Sequence, residues 1–234
     1  MKERPILYST PMVVALLREV DPKTQTRRGI TRLTGFGQIT EFGPSDTPGY
    51  DWHFRDRAMR WHDISHARLL ECCPYGQTGD RLWVRENGWE RPYLSQRDLR
   101  EGADTWPPYE YDAEPLMCWA EGELKGYGWK RRPSIHMPRW ASRIDLEITG
   151  VRVERLQDIS EADAIAEGIQ RPEDMSRESI EAMDVWAEGA ERSAFNALNQ
   201  PVAQYRRLWE QINGSGSWAA NPWVWCVEFR RIRP

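Results

Sequence analysis

The residues of this chain that can do chemistry are concentrated near its start, in Lys23-Thr24-Gln25-Thr26-Arg27-Arg28. This short run offers an amine, two hydroxyls and two guanidinium groups. Guanidinium and ammonium groups grip anions and polar base edges, and a Lys close to a Thr couples a proton acceptor to a hydroxyl nucleophile. A solvated basic turn has the same composition, so the neighbours of the cluster decide how it is read.

Those neighbours are elements able to hold it still. Ile6-Leu7-Tyr8 reads as a short strand. Thr10 as N-cap and Pro11 at the first helical position open an apolar helix from Met12 to Val20, which Asp21-Pro22 ends. The basic run is therefore expected on the loop leaving a buried helix, a rigid mount for reacting groups. After the turn at Gly79-Asp80, Arg81 to Asn87 reads as a strand with Leu82 and Val84 on one face, Trp83 and Arg85 on the other. From Arg143 the alternation is clean: Ile144, Leu146 and Ile148 share a face, then Val151 and Val153, and the phase slip at Gly150 predicts a bulge.

Further along, Ser160 with Asp163 resembles a capping box opening a helix through Ala166, and Glu167-Gly168 closes it. Tyr205, Leu208, Trp209 and Ile212 make one face of a helix stopped at Gly214, and Trp223 to Ile232 is apolar on both faces at first, as a central strand is. Residues 31–70 and 90–133 are rich in Gly, Pro and Asp with little period; they read as two irregular insertions. Residues 173–198 read as a Glu-rich helical excursion. The sum is one α+β domain spanning 1–234, without internal repeats.

Composition narrows the function. At 234 residues with net charge −4, the chain lacks the global basic field of a non-specific duplex binder, so any nucleic-acid contact must be local. Its 13 Trp recur beside Arg, as in Trp83-Val84-Arg85 and Arg139-Trp140, a composition that suits stacking on bases and equally a Trp-rich core. The four Cys form no C-x-x-C, no stretch approaches a membrane span, and the N-terminus lacks a signal-type apolar core, which predicts a soluble cytosolic protein. His62-Asp63-Ile64-Ser65-His66 has the spacing of a helical metal site, but Asp63 stands where the zinc-protease motif needs Glu, and no third ligand follows. No metal is expected.

Four stretches then carry a resemblance over nearly the whole chain: Arg4-Pro5-Ile6-Leu7 with the Lys23–Arg28 run; Gly79-Asp80-Arg81-Leu82-Trp83-Val84-Arg85-Glu86; Ser134-Ile135-His136-Met137-Pro138-Arg139-Trp140; and Asn221-Pro222-Trp223-Val224-Trp225. In these the chain resembles the phage- and prophage-encoded ASCH proteins, whose domain is similar to the PUA domain. The resemblance implies a PUA-like small β-barrel with flanking helices, and a cleft that takes RNA or a modified nucleoside. Small bacterial members hydrolyse the acetyl amide of N4-acetylcytidine with a Lys, a Thr three residues later and a Glu at the end of a later helix. Lys23, Thr26 and Glu167 match those places, with Arg28 in the Arg place. Other members are RNA binders or ribonucleases, so a non-catalytic RNA or modified-base reader, and a phage accessory protein acting through a protein partner, are the alternatives.

Under that resemblance Lys23, Thr26 and Glu167 are the expected catalytic residues. Attack by Thr26 and attack by a water activated by Glu167 are both open. Arg27, Arg28, Trp83, Arg85, Glu86, His136, Arg139 and Trp140 are expected to bind substrate, with no cofactor. The expected location is the cytoplasm of a phage-infected or lysogenic bacterial cell.

Overall fold

The computed structural model describes residues 1–91, 107–114, 120–170 and 200–232. In chain order the elements are β1 (Glu3–Leu7), α1 (Thr10–Leu17), β2 (Gln25–Gly29), β3 (Arg32–Leu33), β4 (Gly37–Pro44), β5 (Trp52–Asp56), β6 (Trp61–Ile64), α2 (His66–Glu71) and β7 (Arg81–Arg85). They continue with β8 (Gly88–Glu90), β9 (Tyr109–Tyr111), α3 (Glu121–Gly126), β10 (Lys130–Arg132), β11 (Asp145–Arg155), α4 (Glu161–Ala166), α5 (Pro201–Asn213) and β12 (Trp223–Ile232).

The long strands β11 and β12 organise the rest. Val224 to Val227 are buried on both faces of β12, which suits a strand with a neighbour on each side, and β12 pairs antiparallel with β11 and with β2. The β11 ladder shifts register between Ile148 and Gly150, at the position where the alternation of the sequence slips. Strand β7 pairs with β11, and β1 lies parallel to β7, giving a five-stranded mixed sheet in the order β1-β7-β11-β12-β2. Ile6, Leu82, Leu146, Trp225 and Phe229 face one core with Val13 and Leu16 of α1. On the opposite face, Leu156, Ala164, Tyr205, Trp209 and Val224 form a second cluster under α4 and α5.

The fold is α+β, but its main sheet is open rather than a closed barrel. β1 ends at Leu7 and the chain turns into α1, so a side chain stands where a ladder would close the ring: Arg28 Nη2 donates to the Leu7 carbonyl at 2.7 Å.

Four other expectations are corrected. Residues 31–70 are ordered: β3-β4-β5-β6 form an antiparallel sheet whose Leu33, Ile39, Phe54 and Ile64 enter the main core. The glycines that break the sequence pattern there are turn residues, Gly35, Gly37 and Gly49, at φ 89°, 79° and 89°. The described part of 90–133 likewise holds α3 and, with Gly88–Glu90, the sheet β10-β8-β9. And Gln25–Arg28 lie in β2, not on a loop, because β12 supplies a ladder that the polar sequence of β2 does not announce. Helix α1 stops at Leu17, where Arg18 is already extended, three residues before Val20. The excursion at 173–198 and Cys118 lie outside the described residues; Cys72, Cys73 and Cys226 are buried free thiols. Among the described residues no helix is long and apolar enough to cross a membrane.

Candidate active site

Placing the basic run in a strand sorts its side chains by face. Residues paired across an antiparallel ladder point the same way. Thr26 opposes Val227 and Arg28 opposes Trp225, so both share the face of the main core. Gln25 opposes Glu228 and Arg27 opposes Cys226, so both share the other face, with Arg152 and Glu154 of β11.

That second face carries a polar network beneath α4. The side chain of Arg27 is fully buried; its Nη2 lies 3.0 Å from Glu154 Oε2 and 3.3 Å from Asp163 Oδ2, and Nη1 is 3.6 Å from Glu167 Oε1 and bonded to Gln25. Asp163 accepts from the Ser160 N–H while its own N–H donates to Ser160 Oγ, the two bonds of a capping box, and its carboxylate also accepts from the Ser160 hydroxyl, Gln25 Nε2 and Arg152 Nη2. Burial alone would raise the Asp163 carboxyl, but these hydrogen bonds and the Arg27 charge carry it down to about 2. Arg27 is thus held by carboxylates of the protein through its two terminal nitrogens, while its Nε has no hydrogen-bond partner.

The end of α4 delivers Glu167. Gly168 follows it at φ +96°, and a Cβ there would lie 2.7 Å from the Ala15 Cβ and 3.3 Å from the Lys23 Cβ, so only glycine lets this turn pack on α1 and Lys23. Three bonds tie the turn to the segment after α1: Thr24 N to Ala166 O at 2.8 Å, Arg18 Nη1 to Gly168 O at 2.9 Å, and Lys23 Nζ to Glu167 O at 2.7 Å. Lys23 Nζ also meets Glu167 Oε2 at 2.6 Å. Lys23, Thr26 and Glu167 are each 3% exposed. Burial lowers the Lys23 pKa; the Glu167 carboxylate pulls it back up, and the Arg28 and Arg27 charges push it down again, with a net fall.

Lys23, Thr26, Arg27, Arg28 and Glu167 line one cleft of about 160 Å³. Its remaining wall comes from Tyr8 after β1, Met12 of α1, and Tyr205, Leu208, Trp209 and Ile212 of α5. Five buried polar atoms of these residues have no hydrogen-bond partner: Tyr8 Oη, Arg27 Nε, Arg28 Nε, Trp209 Nε1 and Glu167 Oε1. Thr26 is the polar neighbour of the Tyr8 phenol, yet the two do not reach hydrogen-bond geometry. Burial, eased by the Arg28 charge, raises the Tyr8 pKa, so the phenol stays protonated as a donor. Arg28 and Lys23 both lie over the Tyr8 ring, at 5.5 and 5.7 Å. Buried polar atoms are normally paired, so the gathering of several unpaired ones in one small cleft sets it apart.

The other expected substrate-binding residues do not line this cleft. Trp83 sits on the outer face of β7 between two guanidinium groups, Arg85 at 5.2 Å and Arg139 at 5.7 Å. Arg85 donates to the Met137 carbonyl, and Arg139 pairs with Asp145 at 3.0 Å. Glu86 is buried in a two-pronged pair with Arg143, at 3.0 and 3.1 Å. His136 and Trp140 are exposed in the 3₁₀ turns before β11. His62, on β6, contacts Asp56, and His66, which opens α2, accepts from Trp52, so the two do not share a helix face. Among the described residues no group of three or more potential ligands is placed to hold a metal ion.

Sequence reasoning missed Tyr8, Tyr205, Leu208 and Trp209 as cleft residues. Its one usable signal was the Tyr205 and Trp209 pair, two aromatics with polar tips on a helix face that was read as packing alone. Set against protein-family models, curated proteins and solved structures, the chain finds no match.

Proposed function

We propose that this cleft binds the acylated base of a nucleoside and hydrolyses its exocyclic amide, as in the N4-acetylcytidine amidohydrolases that the sequence resembles. The observation that carries the reading is the pairing of Lys23 with Glu167 in the lining of a cleft that also holds Thr26. A neutral amine has two N–H bonds and one lone pair. Glu167 accepts both N–H bonds, through Oε2 and its own carbonyl, which leaves the lone pair as a proton acceptor. Burial favours that neutral form.

The size and lining agree with the ligand. An apolar cavity of about 150 Å³ admits one six-membered ring, and this cleft, about 160 Å³, has an apolar wall in Met12, Leu208 and Ile212. Its unpartnered atoms supply donors in Tyr8, Arg28 and Trp209, and an acceptor in Glu167. An acylated cytosine offers the complement: two carbonyl oxygens and a ring nitrogen to accept, and one amide N–H to donate.

In this mechanism Thr26 Oγ attacks the acyl carbon and passes its proton to Lys23. The Tyr8 hydroxyl and Arg28 Nε–H hold the oxyanion of the tetrahedral intermediate. The C–N bond then breaks as Lys23 returns the proton to the departing exocyclic nitrogen, leaving an acyl ester on Thr26. Water attacks that ester, giving its proton to Lys23, and the carboxylic acid leaves as Thr26 recovers its hydrogen.

The test is incubation of the protein with N4-acetylcytidine and related acyl nucleosides, followed by chromatography, beside Lys23→Ala and Thr26→Ala. Release of the free nucleoside by the wild type, lost in both variants, is the expected result. Binding of the nucleosides without turnover would replace the hydrolase by a modified-base reader.

A further inference from the structure

We infer that a second cavity, on the α1 side of Lys23, is a phosphate subsite formed by Arg18 and Arg231. The inference rests on the base-binding reading of the cleft, and extends it from a free nucleoside to a phosphate-bearing one. This cavity, about 670 Å³, is lined by Arg18, Arg230 and Arg231 together with Lys23 and Thr24; Glu19 is the one carboxylate in its lining. Lys23 lines both this groove and the base cleft.

What distinguishes the two arginines is how they are satisfied. Most guanidinium groups around them are neutralised by carboxylates: Arg27 by Glu154 and Asp163, Arg152 by Glu154 and Glu228, Arg230 by Glu147. Arg18 and Arg231 form no ion pair among the described residues. Arg18 donates to the Gly168 carbonyl at 2.9 Å, and Arg231 reaches the Leu16 carbonyl at 3.5 Å, the outer limit of a hydrogen bond. Both bonds go to backbone oxygens and leave the net charges uncompensated among the described residues. Burial lowers the Arg18 pKa. A phosphate supplies the missing negative charge and fits the planar donor fork of Arg.

The groove also touches the chemistry. Arg18 holds the carbonyl of Gly168, the residue after Glu167, so an anion on Arg18 acts on the same turn that positions the Lys23 pair. The shared chemistry is a phosphate oxygen, whether from a mononucleotide or from a polynucleotide strand.

The experiment is calorimetric titration of the full chain with inorganic phosphate, cytidine, cytidine 5′-monophosphate and a short oligocytidylate, for wild type, Arg231→Gln and Arg18→Gln. Arg68→Gln, a remote surface change, is the control. We expect a phosphorylated ligand to bind at least about tenfold more tightly than cytidine, the size of one charge-assisted contact. That advantage falls to near unity in Arg231→Gln and weakens with salt. Advantage for the mononucleotide identifies a nucleotide as the source; advantage for the oligonucleotide alone identifies a strand. Arg231→Gln, which leaves the Gly168 contact in place, keeps the test valid where Arg18→Gln disturbs the turn. Equal affinity with and without phosphate, or an advantage that survives in both variants, overturns the subsite. Phosphate binding lost in Arg231→Gln without any binding of cytidine would keep the groove and remove the base site, so the two readings fail separately.

Discussion

Lys23 Nζ bonds to two oxygens of the same residue, Glu167: its carboxylate Oε2 at 2.6 Å and its backbone carbonyl at 2.7 Å. The carbonyl fixes where the amine sits, and the carboxylate sets how firmly it holds a proton. Burial lowers the Lys23 pKa and the Glu167 charge opposes it. Because the folded pKa lies below the unfolded one, the unfolded chain holds a proton that the folded one lacks in the window between them, and stability attributable to Lys23 rises with pH there. Activity carried by neutral Lys23 rises with pH through its lowered pKa. In Glu167→Gln the opposing charge is gone, so the rising limb of kcat/KM moves to lower pH while the backbone contact still aims the amine. Turnover reduced to a trace at every pH would instead make Glu167 the base that activates water.

Thr26 separates the two routes from the other side. If its hydroxyl is the nucleophile, Thr26→Ala loses at least about 10³-fold in kcat, as removal of a covalent nucleophile does, whereas Thr26→Ser retains measurable turnover. Mass spectrometry of rapidly quenched enzyme with an acyl nucleoside then finds one acyl group on the peptide containing Thr26. A Thr26→Ala variant within about tenfold of wild type rules out the acyl-enzyme.

Gly168 is the hinge on which the pair depends. At φ +96°, any side chain there is strained, and its Cβ would crowd Ala15 and Lys23. Gly168→Ala is expected to destabilise the fold by about 1–3 kcal/mol, read from chemical denaturation. It should also lower kcat more than KM is raised, since the turn it distorts carries Glu167 rather than the apolar wall. A variant with full activity and unchanged stability contradicts the role given to this turn.

The legible parts of the molecule were those with a local cause. The bulge near Gly150 follows from the alternation around it, the Ser160 cap from its spacing to Asp163, and the central place of β12 from its two apolar faces. Lys23, Thr26, Arg28 and Glu167 were named from the sequence, and the fold brings them to one cleft. What was not legible depends on partners far along the chain. The strand at Gln25–Arg28 exists because β12 pairs with it, and that ladder turns Arg27 to the face that carries Glu154, Asp163 and Glu167. Tyr8 becomes a cleft residue only when the sheet curls far enough for Arg28 to reach Leu7. Trp83, Arg85 and Arg139 do meet, but on the outer face of β7, a meeting that spacing could suggest without revealing which side it took.

Residues 31–70 provide the strongest test of the fold, since their sequence looks like a surface insertion. Phe54 is fully buried in the same core as Ile6, Leu82 and Trp225. Its ring stacks on His62 at 4.9 Å and meets Phe36 edge-on at 4.8 Å within its own part of the chain, so it presents packed aromatic area to the core that the two sheets share. Phe54→Ala removes that area and leaves a cavity, and is expected to cost about 3–5 kcal/mol, measured as a shift of the urea midpoint with unchanged slope. A peripheral appendage would give less than about 1 kcal/mol, as a surface substitution does. Under the same conditions the folded fraction should keep its turnover, because the Lys23 cleft lies at the β2 edge and takes no wall from these strands. Loss of stability together with retained activity per folded molecule is the pattern that makes 31–70 a structural part of the core and the β2–α4–α5 corner the seat of the chemistry.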